Sequence, residues 1–201
     1  MYKRQEQEER NTAYGSLGVG LLISLFGIYG LLAIPLKSYL QPLVVMSVVP
    51  FGAIGAITGH YALSVDLMFF SALGIVALTG VVVNASLVLV DYSNRRRRAG
   101  ESIEEAITAS AIVRFRPIIL TSVTTFVGLI PLMTTTTPST APFLPMAVSL
   151  AWGVLFSTFI TLLLVPCLYL MAEDFTTGLS NLLKPLANDQ EETIGRAAER
   201  T

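Results

Sequence analysis

Long stretches without a single charge set the terms on which this chain folds. Twenty-six consecutive uncharged residues run from Asn11 to Leu36, 28 from Ser38 to Val65, 24 from Leu67 to Val90 and 56 from Pro117 to Ala172. A bilayer crossing takes about 20 apolar residues as a helix, because lipid offers no partner to open backbone groups and a helix satisfies them within one segment. The first three runs each fit one crossing and the fourth fits two. The chain therefore reads as an all-α membrane protein with five spans, at about 15–36, 42–63, 67–90, 117–137 and 143–172. Composition agrees: 53% of the 201 residues are hydrophobic and only 13% charged, against about a quarter charged in soluble domains.

The same composition excludes several functions. A lone cysteine, Cys167, allows no disulfide within the chain and reads as a small buried hydrophobe among Leu and Val. There is no nucleophile–base pairing, metal-ligand spacing or phosphate loop, so neither an enzyme nor a bound cofactor is expected. The opening "MYKRQEQEER" mixes both signs of charge. The apolar run behind it is too long for a signal-peptide core and has no clear cleavage site, so the first span is expected to be permanent. Residues 1–14 then form an N-terminal tail, 15–174 the membrane domain and 175–201 a second polar tail.

Between the third and fourth spans, "GESIEEAITASAIVRFRP" places Ser102 and Glu105 at capping-box spacing. Ile103, Ala106, Ile107 and Ala111 follow at helical intervals, which predicts an amphipathic helix over about 101–115 lying at the interface. Pro117 suits the first turn of the next span. Five spans put the termini on opposite sides. The side of the first and third connections and the C-terminal tail holds Lys37, Arg95, Arg96, Arg97, Arg98, Arg114, Arg116 and Lys184, whereas the other holds Lys3, Arg4 and Arg10. The richer side is predicted to be cytoplasmic, with the N-terminus outside.

A few polar and small residues interrupt the apolar runs. Gly55 and Gly59 are four apart in the second span, and Gly52 and Ala56 repeat the spacing; such a stripe is either a close helix contact or chance in a Gly-rich segment. His60 reads as an interfacial hydrogen-bonder, with Asp66 just beyond it. Asp91 at a helix end is expected to pair with Arg95 at i+4, and the run Arg95 to Arg98 to mark topology and meet lipid headgroups. Asn84, near the centre of its span, needs a hydrogen-bond partner on another helix, either as structural glue or as part of a functional network. Arg114 lies close to hydrocarbon, where a cation costs roughly 2.5–3.5 kcal/mol even on the mild insertion scale. Ahead of it lie Thr121, Ser122, Thr124 and Thr125. A water-filled crevice holding Asn84, Thr121 and Arg114 would satisfy all three.

Four segments, "PLKSYLQPLVVMSVVPFGAIGA", "GVVVNASLVLVDYSNRRRRAG", "RFRPIILTSVTTFVGLIPL" and "PMAVSLAWG…LLVPCLYL", resemble in order the landmarks of the C-terminal membrane half of resistance-nodulation-division (RND) efflux permeases. The resemblance covers about residues 14–174 and rests on several motifs with their spacing. It implies the last five helices of a twelve-helix, trimeric permease of the bacterial inner membrane, with an intramembrane proton relay and large periplasmic domains that capture amphiphilic substrates. A periplasmic adaptor and an outer-membrane channel complete such a system, and multidrug resistance is its usual consequence. Asn84 matches a position where many members carry Lys or Asn facing the relay, Arg114 the basic residue before the next helix, and Thr121 the relay threonine. This sequence departs from the pattern twice: Asn84 carries no charge, and Ala85 stands where relatives often have a second polar residue.

The family's titrating aspartates belong to the N-terminal half, which these residues do not include. The expectation is therefore a C-terminal membrane part of a proton-coupled RND-type transporter that needs the N-terminal half for activity. The alternative is a non-transporting remnant or a small subunit packed against a full-length permease.

Overall fold

The computed structural model describes the backbone of residues 2–134 and 137–198, and the side chains of residues 7–9, 11–134 and 137–173. Its elements are α1 (Tyr2–Leu36), α2 (Gln41–Met46), α3 (Val49–Leu63), α4 (Phe69–Arg98), α5 (Ile103–Thr134), a 3₁₀ turn (Ala141–Phe143) and α6 (Leu144–Ala198). Helix is the only regular structure among the described residues. Five segments are long and apolar enough to cross a membrane: Gln7–Leu36, Gln41–Leu63, Phe69–Arg98, Ile103–Thr134 and Ala141–Glu173. The all-α, five-span reading holds.

The bundle is organised around α6, against which α3, α4 and α5 all pack. Ala147, Val148, Ala151, Val154 and Val165 of α6 are buried there. The approach of α3 depends on small residues: a Cβ on Gly55 would collide with Phe156 and one on Gly59 with Trp152, while one on Gly52 would press on Leu78 of α4. Ala56 is fully buried on the same stripe. Where lipid is as apolar as the side chains, this close van der Waals contact is what holds helices together. By contrast α1 leans on α2 and α4 and buries Leu32 and Leu36, leaving Leu22, Ile23, Phe26, Leu31 and Ile34 exposed.

Several boundaries differ from the sequence reading. The helix α1 begins at Tyr2 and absorbs most of the expected 1–14 tail, because Lys, Arg, Gln and Glu are good helix formers that extend a helix already nucleated by its apolar part. The second span is broken at Ser47–Val48 into α2 and α3; Pro50 cannot donate to the carbonyl of Met46 and its ring clashes there. The expected separate helix at 101–115 is instead the first part of α5, which runs on through Pro117 and Pro131. Its capping box is formed, with Ser102 N–H donating to Glu105 Oε2 at 3.2 Å and Glu105 N–H to Ser102 Oγ at 3.3 Å. Ile107, Ser110, Ile118 and Ser122 are all buried on one stripe, so the same face is held on both sides of Pro117 and the helix stays continuous. The backbone of α6 remains helical to Ala198, through most of the expected tail from 175.

Cys167 is exposed, not buried. The inward stripe of α6 passes through Thr161, Val165 and Tyr169, all buried, and a residue two places off a four-residue stripe points the other way.

Candidate functional site

Three helices present the same stripe to one space. Val81, Asn84, Ala85 and Val88 of α4, Arg114, Pro117, Ile118 and Thr121 of α5, and Val154, Ser157, Thr158 and Thr161 of α6 line a single cavity of about 150 Å³. Each set follows the i, i+3, i+4, i+7 spacing of one helical face. The structure therefore brings Asn84, Arg114 and Thr121 together, although they lie on two helices.

Four of the hydroxyls around this cavity, those of Thr121, Ser122, Ser157 and Thr158, are turned back on their own helices. Thr121 Oγ1 donates to the carbonyl of Pro117 at 2.9 Å, Ser157 Oγ to that of Val154 at 3.0 Å and Thr158 Oγ1 to that of Val154 at 2.7 Å. Ser122 Oγ and Thr158 Oγ1 lie 2.5 Å apart and join α5 to α6. Since each hydroxyl has one hydrogen, one of the pair donates across while the other donates to its own backbone.

Asn84 and Arg114 are differently placed. The Asn84 side chain is exposed and makes no hydrogen bond among the described residues. Arg114 lies over the ring of Tyr92, 4.8 Å from its centroid, a cation–π contact, yet its Nε is buried without a partner. A buried donor left open costs about 1–3 kcal/mol, more on a charged group. The lining contains no Asp, Glu or His. Amide and hydroxyl groups orient and pass hydrogen bonds, and the guanidinium fixes positive charge.

The charged end of α4 is built of pairs. Arg95 Nε meets Asp91 at 2.9 Å, Arg96 Nε meets Glu101 at 2.6 Å and Arg97 Nη1 meets Glu173 at 2.7 Å, while Arg98 has no carboxylate partner among the described residues. The hydrogen bond from Arg96 holds the Glu101 carboxyl below its ordinary range.

Two polar networks lie outside this cavity, and the first carried no sequence signal. Beneath the arginines, Asn94 Nδ2 donates to Gln41 Oε1 at 2.7 Å, and Asn94 Oδ1 accepts from Gln41 Nε2 at 3.1 Å and from Tyr169 OH at 2.7 Å. Gln41 Nε2 also reaches Glu173 at 3.1 Å, so α2, α4 and α6 are tied at one level. At the opposite end, His60 is buried, with Nδ1 2.9 Å from the carbonyl of Ala56 and Nε2 2.9 Å from Ser71 Oγ. The carbonyl can only accept, so Nδ1 carries the hydrogen. Asp66 nearby is exposed. The α6 hydroxyls Ser157, Thr158 and Thr161 were missed as well; their only trace is the string "STFIT" inside an apolar run.

Comparison with known proteins places this arrangement. The model of the AcrB/AcrD/AcrF family matches residues 2–173. Multidrug resistance protein MdtC of Proteus mirabilis (strain HI4320) is 29% identical over 151 residues, which is 75% of this chain and 15% of that protein. Cobalt-zinc-cadmium resistance protein CzcA of Cupriavidus metallidurans (strain CH34) is 26% identical over 189 residues, 94% of this chain and 18% of that one. An X-ray crystal structure of a heavy metal efflux pump superposes with a TM-score of 0.75 at 28% identity, covering 84% of this chain and 17% of its own. The chain thus spans less than a fifth of the length of these relatives.

Proposed function

This chain belongs to the AcrB/AcrD/AcrF family of RND efflux permeases, and on that premise we propose that it forms the C-terminal membrane wall of a proton-coupled efflux transporter. Asn84 and Thr121 are its hydrogen-bonding members and Arg114 its fixed positive charge. What supports this reading is the cavity between α4, α5 and α6: its lining gathers all three residues, with the Asn84 amide unpaired and Arg114 Nε open. Open donors beside a cavity suit a partner helix carrying acceptors. A carboxylate there would satisfy the guanidinium and supply the titrating group that the lining lacks.

The reading requires the N-terminal half of a permease to provide that carboxylate and the periplasmic domains to provide cargo. MdtC is named for multidrug resistance and CzcA for resistance to cobalt, zinc and cadmium, so the cargo class is set outside these residues. The full machine is a trimer joined to a periplasmic adaptor and an outer-membrane channel. The arginine-rich end faces the cytoplasm and the start of α1 the periplasm, following the Lys and Arg bias.

Co-expression with the N-terminal half of a related permease tests the proposal. Proton-dependent efflux of a dye should appear, and should fall by an order of magnitude or more in Thr121→Val and Arg114→Gln, in keeping with lost proton-transfer or charge-stabilising groups. Stable association of the halves with no efflux would instead assign this chain a non-transporting role, and efflux unaffected by both substitutions would remove Thr121 and Arg114 from the relay.

A further inference from the structure

A second site lies away from the cavity of α4, α5 and α6. At the cytoplasm-assigned end, Leu36 and Lys37 from the end of α1 and Asn94, Arg97 and Arg98 from the last turns of α4 line an open cleft of about 370 Å³. Of the cations here only Arg97 has a carboxylate among the described residues, Glu173 at 2.7 Å; Lys37 and Arg98 have none. One Asn94 amide hydrogen is used on Gln41, and the other has no partner among the described residues. Lys37 is held at the cleft by a left-handed backbone with φ of 50°, a conformation that usually falls to glycine after a helix.

A plainer account is that these cations answer the negative ends of two helices. The magnitudes do not close on that basis. Among the described residues three cations less one carboxylate leave +2, and each helix C-terminus offsets about −0.5. Roughly one positive charge remains, beside the buried apolar side chain of Leu36. A phosphodiester carries one negative charge, and basic pockets between helices at the cytoplasmic side take lipid headgroups.

We propose that this cleft, lined by Lys37, Arg97 and Arg98, binds a single phosphate monoanion, supplied in the membrane by the phosphodiester of an anionic phospholipid. The site is independent of the relay reading and would stand if that reading failed.

Native mass spectrometry of the full chain, stripped of lipid in detergent, decides the matter. The chain is titrated with phosphatidylglycerol, phosphatidylcholine or inorganic phosphate, for the parent, Lys37→Gln, Lys37→Gln with Arg98→Gln, and Arg95→Gln. Phosphatidylglycerol should be retained over phosphatidylcholine. Affinity should fall roughly fivefold for each cation lost and about twenty-five-fold for the pair, the equivalent of ~1 kcal/mol per cation. Arg95→Gln removes a guanidinium already committed to Asp91 and should change it less than twofold. Displacement of phosphatidylglycerol by inorganic phosphate would support the site with a free anion as its source; no displacement supports the lipid. Equal retention of the two lipids, or equal losses in Arg95→Gln and the cleft variants, would reduce the effect to diffuse attraction and overturn the proposal. Lys37→Gly relieves the backbone while removing the charge, so it must also lose phosphatidylglycerol, with no loss of fold to explain it.

Discussion

Single residues in this chain are read by whether their polar atoms are answered. Lys37 adopts φ of 50° where glycine would be unstrained. Lys37→Gly should therefore stabilise the chain by about 0.5–1 kcal/mol, the left-handed penalty less the larger unfolded-state entropy of glycine. The midpoint of unfolding in mixed micelles measures this. Glu101 titrates below the ordinary carboxylate range because Arg96 donates to it. A depressed folded-state value means that the contact contributes above the unfolded carboxylate value and is lost as pH falls through the folded one. Thermal unfolding should separate the parent from Glu101→Gln at neutral pH, and the difference should shrink as pH falls through the depressed folded-state value. Asn84 was conspicuous in the sequence as an amide in mid-span. That it would stand exposed and unpaired in this chain was not legible, since a helix face has no meaning until its neighbours are placed.

Helices meet here through small side chains and through buried polar ties. The Gly52, Gly55, Ala56, Gly59 stripe left close contact and chance undecided as a sequence pattern, and the structure sets it against Trp152, Phe156 and Leu78. Gly59→Ala should destabilise by about 1–3 kcal/mol through overpacking. Gly128, which has nothing within 4 Å, provides the contrast: Gly128→Ala should be neutral or gain up to ~1 kcal/mol from helix propensity. Chemical denaturation of the two variants side by side checks both signs. The tie between α2, α4 and α6 gives another test. Asn94→Ala leaves Gln41 Oε1 without its donor and the Tyr169 hydroxyl without its acceptor and should cost about 1–3 kcal/mol, more than the ~1 kcal/mol for Tyr169→Phe. No sequence pattern pointed to this tie, because Gln41 and Asn94 are far apart in the chain and each is ordinary where it stands. The continuous α5 was misjudged for a related reason: a proline ends a helix on local grounds, but a face buried on both sides of it restores the line.

The whole bundle encloses a cavity between α4, α5 and α6 and carries a charged rim, and its behaviour follows from the side chains placed there. Among the described residues the polar lining of the central cavity is amide, hydroxyl and one guanidinium, with no carboxylate or imidazole, so on the relay reading the purified 201-residue chain in sealed vesicles should not move dye or metal ions against a gradient. A fluorescence uptake assay under an imposed pH difference checks this, and uphill movement would contradict the relay reading. Fold class and the number of crossings were open to inspection in the residues, because lipid denies hydrogen bonds to the backbone and a long uncharged run has only one way to satisfy itself. The motifs were enough to point to the family for the same reason, since they mark span ends and the few polar interruptions within them. Which of those interruptions share a cavity depended on the packing of α4 parallel and α5 antiparallel to α6. The register of that packing comes from glycines, valines and buried hydroxyls spread over more than 100 residues. Helical periodicity gives each side chain an angle around its own axis, but the distance between two helices exists only after they have packed.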